Sequence, residues 1–439
     1  MRNNPIRPAL YLSLLLCGGC PSEPAKPDAG EVPPEYSGGT VPLARCGYPV
    51  TTREGATPPV EGRPMLGPDP TPWAIHLGFA GDPATSMVVS WRTRDETTLA
   101  TTVQYGVVDP AEQSADGLTF AYLVWNGNLP DVRIHETHLC GLKPGTQYRY
   151  RVGGRDAEGK EAWSPIYSFR TAPRPDDPLA QIVVGVIGDT RLNYPMWGQL
   201  VAALNTTAAP DVILFTGDAV YLGQLQNEWD EWFKQAEPVL RSVPIIPAHG
   251  NHENNAVNYF SQFALPGNEE YFGFDYGPMH VTVVNDSTPD LTDLETIGKP
   301  FLDGDLGRAR KPWRFVVHHK PMYSELGGGH GSDLSVRAAW APTIDKHRVD
   351  AVFNGHDHRY GRTKPLRGDQ PQAGPADGTI YFIVGSAGAD LYELGTPEAF
   401  SEVSKATYNF AVLRLRANLF DFKAYDDKAA VIDTLMITK

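Results

Sequence analysis

With 439 residues, the chain is long enough for two or three domains. Hydrophobic residues make up 41% and charged residues 21%, the proportions of a folded globular protein rather than a disordered or collagen-like one. The formal net charge of −14 leaves no global basic field, which argues against a nucleic acid as a stable partner. Histidine is unevenly distributed: nine of the 12 lie between residues 249 and 358.

At the N-terminus, Arg2 and Arg7 precede the apolar run at 9–16, and Gly18 and Gly19 then precede Cys20. This order predicts an export signal over residues 1–20, because the apolar run is too short to span a bilayer as a helix. The run Leu15-Leu16-Cys17-Gly18-Gly19-Cys20 resembles a bacterial lipoprotein signal, with Cys17 where an aliphatic residue is usual. It implies lipidation at Cys20 and a periplasmic or outer-membrane (cell-surface) lipoprotein that meets a membrane only through that anchor; plain secretion is the alternative. Residues 21–72 hold 13 prolines and read as a stiff, extended linker, or near Cys46 as a loop wrapped on the body. In an oxidising compartment, Cys46 and Cys140 form an even pair open to a disulfide; Cys140 as a small buried residue is the alternative.

Residues 73–173 alternate short apolar segments with turn signals such as Lys143-Pro144-Gly145, which predicts an all-β sandwich. His135 and His138 stand three apart on one such strand, so their side chains face opposite ways and make a poor metal pair. From residue 181 to 439 the pattern changes to buried apolar runs, beginning with Ile182 to Ile187, alternating with helical stretches at 197–205, 229–240 and 334–347. Three terminal strands follow Phe410. The organisation is α/β.

The chemistry-bearing residues fall at the ends of these strands, where ligands converge in open α/β sheets. In order they are Gly188-Asp189, Gly217-Asp218 with Tyr221, Gly250-Asn251-His252-Glu253, His318-His319, and Gly355-His356-Asp357-His358. The donors are oxygen and imidazole without thiolate, a set suited to Zn, Mn or Fe. Two ions sharing one carboxylate would need about three further ligands each, which this set supplies.

These five blocks resemble those of the calcineurin-like metallophosphoesterases, specifically the purple acid phosphatases: GD-x-G, GD-x-x-Y, GNH-D/E, V-x-x-H and GH-x-H. The segments at 82–91 and 142–148 are similar to that family's fibronectin-III-like N-terminal domain. The resemblance implies an α/β (α+β) metallophosphoesterase fold, a β-sandwich flanked by helices, preceded by an all-β sandwich. It makes Asp189, Tyr221 and His358 ligands of one metal, Asn251, His319 and His356 ligands of the other, and Asp218 the bridge. A phenolate such as Tyr221 favours Fe(III); the second ion would be divalent Fe, Zn or Mn. His319, rather than His318, matches the family's H-x-P-x-Y continuation in His319-Lys320-Pro321-Met322-Tyr323.

His252 and His330 are the implied catalytic and substrate-side histidines. The first block departs from the pattern, reading Asp189-Thr190-Arg191, and so sets a guanidinium beside the centre where it can contact phosphate. The implied reaction is hydrolysis of a phosphorylated small molecule, a phosphate monoester, by in-line attack of hydroxide generated at the metal pair. A phosphodiesterase or nucleotide-cleaving enzyme on the same centre is the alternative, and a non-catalytic surface binding lipoprotein a second. The sequence leaves the oligomeric state open.

Overall fold

The computed structural model describes residues 39–43, 45–52, 69–94, 101–122, 132–155 and 158–439. The export signal and much of the proline-rich segment lie outside the described residues. The described residues belong to one compact unit. No helix among the described residues is long and apolar enough to cross a membrane.

Part of the proline-rich segment is not an extended tether. Gly39–Leu43 and Tyr48–Thr52 pair as an antiparallel hairpin with Pro42 opposite Pro49. Two ties fasten it to the strand Val132–Cys140: a disulfide joins Cys46 to Cys140, and the Tyr48 hydroxyl lies 3.0 Å from His138 Nδ1. These ties explain how a two-stranded ribbon, marginal by itself, is held in place.

The next region is a sandwich of two antiparallel sheets. One runs in the order Trp73–Gly78, Ser86–Thr93, Val132–Cys140, Leu118–Tyr122. In the other, Gln147–Arg155 pairs with Thr102–Gly106, Glu161–Trp163 and Tyr167–Arg170. Alternate residues of both sheets, including Leu77, Val89 and Trp91 against Val103, Tyr150 and Phe169, form one buried cluster, as period-2 patterning requires. The sandwich rests on the helix Gln226–Leu240: Arg92 pairs with Asp230 at 2.6 Å, and Tyr150 donates to the Arg241 carbonyl.

Two mixed sheets follow. The six-stranded sheet runs Ile245–Pro247, Val212–Phe215, Ile182–Ile187, Asn409–Arg416, Leu419–Asp426, Val431–Thr438, its first three strands parallel. The seven-stranded sheet holds Trp313–Val317, Ala351–Asn354 and Ile380–Val384 in parallel at its centre. Phe315, Val317, Phe353 and Phe382 join Val184, Val186, Ile213 and Val412 in one core. Their neighbours Val316, Val352 and Tyr381 belong instead to a cluster with Trp340 and Ile344 of the helix Leu334–His347. The alternation puts each strand between a partner sheet and a helix layer.

Helix Tyr194–Ala208 shows why the order is stable. Asn193 caps it by accepting from the Met196 N–H, Pro195 stands in its first turn, and Trp197, Leu200, Val201 and Leu204 make the buried stripe.

Candidate metal centre

Five parallel-strand ends meet at one edge of the paired sheets. The six-stranded sheet delivers Asp189, Asp218 and Asn251 just beyond Ile187, Phe215 and Pro247; the seven-stranded sheet delivers His319, His356 and His358 beyond Val317 and Asn354. Asp189, Asp218 and His356 have φ of 53°, 57° and 67°. Left-handed backbone at a residue with a side chain costs about 1–3 kcal/mol, and such residues cluster at functional sites.

Asp218, His319 and His356 present donor atoms within 4.8 Å of one another. His319 Nε2 lies 3.2 Å from Asp218 Oδ1, 3.2 Å from Asn251 Oδ1 and 3.2 Å from His356 Nδ1. The Thr216 carbonyl accepts from His319 Nδ1 at 2.8 Å, which turns Nε2 toward the cluster. The second group is looser. His358 Nε2 is 3.8 Å from Asp189 Oδ1, with Nδ1 donating to the Asp390 carbonyl at 2.7 Å. Tyr221 stands at the rim, 47% exposed, with its ring 5.4 Å from that of His252.

The electrostatics describe a place that wants cations. Asp189 Oδ2 and Asp218 Oδ2 are buried without a hydrogen-bond partner. Burial, together with the neighbouring Asp218 charge, raises the Asp189 carboxyl well above its usual range, although His319 opposes this. Burial also works against charge on His319, but Asp218 and Asp189 outweigh it and push the imidazole up to about 10. Asp218 is held low because His319 overcomes its burial. Desolvation pulls His358 down to about 4, with the Arg191 charge adding to it. Buried carboxylate oxygens and imidazoles of this kind fit divalent or trivalent cations.

The substrate-side residues surround this cluster. His252 Nδ1 donates to the Tyr221 carbonyl at 2.5 Å and its Nε2 is 3.8 Å from Asp218 Oδ2. His330 stacks on His356 with ring centroids 4.1 Å apart, and its backbone N–H donates to Asp357 Oδ1. Arg191 is nearly buried, with Nη2 3.1 Å from His358 Nε2 and Nε 3.7 Å from Asp218 Oδ2. His318 turns away: its Nδ1 meets Asp286 at 2.8 Å and its ring packs edge-on against Trp340.

Four supporting residues escape the motif reading. Glu253 accepts from the backbone N–H groups of Asp218, Ala219 and Gly250, tying two ligand loops together. Burial beside Asp218 pushes it up to about 7. Asp357 joins the His356 loop to the glycine loop through Ser324 Oγ, His330 N and Arg359. Asp286 orients His318 and accepts from Lys320 N. Tyr392 stacks on His358 at 4.2 Å, and its hydroxyl lies 3.2 Å from His330 Nε2. Glu253 and Asp357 lie inside the GNH-D/E and GH-x-H blocks, whereas nothing in the sequence around Tyr392 marks it.

Comparison with known proteins places this geometry. Residues 72–171 match the purple acid phosphatase N-terminal domain and residues 182–360 the calcineurin-like phosphoesterase family. Purple acid phosphatase 21 of Arabidopsis thaliana is 28% identical over 74% of this chain and 73% of its own length. Acid phosphatase type 7 of Mus musculus is 29% identical over 75% of this chain and 80% of its own. An uncharacterized protein of Mycobacterium tuberculosis, Rv2577, is 29% identical over 72% and 69%. Among solved structures, the purple acid phosphatase PPD1 of yellow lupin shares the fold, with a TM-score of 0.75 at 20% identity over 84% of this chain and 74% of that one. PhoD does so at 0.61 and 10% identity, over 83% and 93%. The matched families imply a dinuclear metal centre. The chain thus carries a purple acid phosphatase N-terminal domain followed by a calcineurin-like phosphoesterase domain, and is a metal-dependent phosphoester hydrolase.

Proposed function

We propose that the chain hydrolyses phosphate monoesters at a dinuclear centre. In this reading Asp218, Asn251, His319 and His356 hold one ion, Asp189, Tyr221 and His358 hold the other, and Asp218 lies between them. The observation that carries it is the convergence of Asp218, Asn251 and His356 on His319 Nε2 beside two unpartnered carboxylate oxygens. Fe(III) at the Tyr221 seat with a divalent ion at the other is supported by the donor chemistry of a phenol against an amide and two imidazoles.

Bound there, two cations lower the pKa of water and neutralise charge on a phosphoryl group. The chain's own residues do the rest. Arg191 offers a guanidinium to a phosphate oxygen. His252, oriented by the Tyr221 carbonyl, directs Nε2 toward the reacting group and serves the leaving oxygen. His330, fixed by Asp357 and Tyr392, stands opposite as the second phosphate contact. Crowding supports a monoester over a diester: loop 388–395 touches both loop 190–193 and loop 326–331 on the side of Arg191 and His330. A Cβ on Gly388 would lie 2.3 Å from the Thr190 carbonyl oxygen, and one on Gly395 2.0 Å from that of Leu326.

The test is phosphate release from p-nitrophenyl phosphate against its bis ester, with Fe, Zn or Mn supplied. Monoester preference supports the reading; diester preference moves the enzyme to phosphodiester or nucleotide substrates. We also read residues 73–173 as fibronectin-III-like, from the paired antiparallel sheets, with residues 181–439 as the catalytic domain. We infer export with lipidation at Cys20. The Cys46–Cys140 disulfide supports an oxidising compartment; mass analysis of the mature N-terminus checks the acyl group.

A further inference from the structure

Arg191 does more than stand near the centre. Its guanidinium reaches His358 through Nη2 at 3.1 Å and Asp218 through Nε at 3.7 Å, and its Cζ lies 5.9 Å from the Tyr221 ring centroid. His358 and Tyr221 belong to the seat assigned above to one ion, and Asp218 is the carboxylate it shares. The other seat, formed by Asp218, His319, His356 and Asn251, meets Arg191 only through the shared Asp218. Arg191 therefore sits against the Asp189–Tyr221–His358 side and reaches the other seat only through the carboxylate the two share.

Resting on the dinuclear reading, we propose that Arg191 competes with metal for the Asp189–Tyr221–His358 seat, so that the two ions bind with unequal affinity. One ion is held tightly. The second enters only by displacing the guanidinium, which then faces the phosphoryl group. A guanidinium left a few ångströms from an incoming dication repels it, and burial weakens the screening.

Equilibrium titration of the metal-depleted protein with Zn(II), read by calorimetry and by bound-metal analysis, tests this. The unaltered protein should bind one tight and one weak equivalent. Arg191→Gln and Arg191→Gly should each tighten the weak step by about 10- to 100-fold while leaving the tight one in place. Two equal steps in the unaltered protein, or a weak step that neither variant moves, overturns the proposal. A single equivalent in all three proteins at saturating Zn(II) overturns the dinuclear reading itself.

A separate observation bears on the leaving group. Leu192, Leu326, Leu391 and Leu394 are 52%, 73%, 38% and 45% exposed, and all lie on the three loops that touch around Arg191, His330 and Tyr392. Those loops, 190–193, 326–331 and 388–395, also carry Asp390 and Glu393, and Arg191 is their one lysine or arginine. Exposed leucines on the loops around a site favour apolar recognition, and two acids against one cation on those loops disfavour polyanions. Resting again on the monoesterase reading, the geometry points to phosphate monoesters of apolar, uncharged alcohols, with nucleotides and polyphosphates disfavoured.

Phosphate release from ethyl, butyl and hexyl phosphate isolates the effect, since their leaving groups differ chiefly in apolar surface. Full burial of a methylene is worth about a fourfold gain, so at this open rim kcat/KM should rise about twofold per methylene. The Leu391→Ser, Leu394→Ser double variant should flatten that dependence. A flat series in the unaltered protein, or a higher kcat/KM for a nucleoside monophosphate than for hexyl phosphate, overturns the rim proposal. No release from any monoester overturns the monoesterase reading beneath it.

Discussion

The sandwich and the catalytic sheets both bury histidines, and the two sets are treated in opposite ways. In the sandwich, His135 stacks on Trp91 at 5.2 Å and lies 2.7 Å from the Thr101 hydroxyl, while His138 meets Glu136 at 2.7 Å and Tyr48 at 3.0 Å. Each has neighbours that satisfy it. At the strand ends of the catalytic sheets, His319 and His356 aim nitrogens at each other across 3.2 Å, and Asp189 Oδ2 and Asp218 Oδ2 are buried without a hydrogen bond. Completed hydrogen bonds stabilise a fold; uncompleted ones are held for something else. Substitutions in the first set should therefore be felt in stability, and substitutions in the second in metal content and turnover.

The largest effect should come from Asp218→Asn. Asp218 Oδ1 accepts from the His252 N–H and pairs with His319, so the change removes the charge shared by both seats while keeping the shape. Turnover should fall by about 10²- to 10³-fold or more, with bound metal falling in parallel and the unfolding midpoint moving far less. Full turnover in a metal-depleted variant would break the contrast. Replacing Cys46 and Cys140 by Ser should do the reverse: about 2–4 kcal/mol of stability lost from the sandwich and its hairpin, seen as earlier proteolysis and a lower unfolding midpoint, with turnover at 25 °C unchanged.

The same contrast explains what the sequence could and could not disclose. Strand runs such as Ile182–Ile187 and Val212–Phe215 are buried on both faces, so they stand out as continuous apolar segments, and the ligands are the first polar residues after them. Even the choice between His318 and His319 follows from strand alternation, since His318 faces Asp286 and Trp340. Less visible were elements whose patterns are broken by glycine, proline or aromatics. Tyr271–Tyr276 mixes Gly273 with four aromatic residues, and Lys299–Arg308 contains Pro300, Gly304 and Gly307; both exist through packing on neighbours. The hairpin at 39–52 is fixed by a partner some 90 residues away, beyond the reach of local pattern. Tyr392 and the Asp390 carbonyl act on His358 from a loop without secondary structure.

His280 extends the comparison to pH. It lies in the strand Met279–Val284 between Asp275 at 2.8 Å and Asp305 at 3.0 Å. Burial opposes its charge, but the two carboxylates prevail and push it up to about 9, from an ordinary value of 6.5. A raised pKa means the stabilisation is complete below about pH 6.5 and drains away as pH rises toward 9. Asp275 is 43% exposed, so solvent screening reduces the contribution to about 1–2 kcal/mol. The unfolding midpoint should fall across that window in the unaltered protein, and His280→Gln should remove this part of the fall. An identical pH dependence in both proteins would place the titrating group elsewhere.

Tyr392→Phe should give the smallest effect and the sharpest one. The substitution keeps the ring that stacks on His358 and removes only the hydroxyl, which lies 3.2 Å from His330 Nε2 and also bonds Arg191. A single neutral hydrogen bond contributes about 0.5–1.5 kcal/mol, equivalent to about a 2- to 12-fold change. If that bond holds His330 against the phosphate, kcat/KM should fall by about that factor with metal content and unfolding midpoint unchanged. Tyr392→Ala removes the stacking as well, so it should loosen His358 and lower affinity for metal at that seat. The two variants thus separate the ring from the hydroxyl. Equal metal affinity in both would show that the stack does nothing for the seat, and would return Tyr392 to the class of satisfied aromatic residues found in the sandwich.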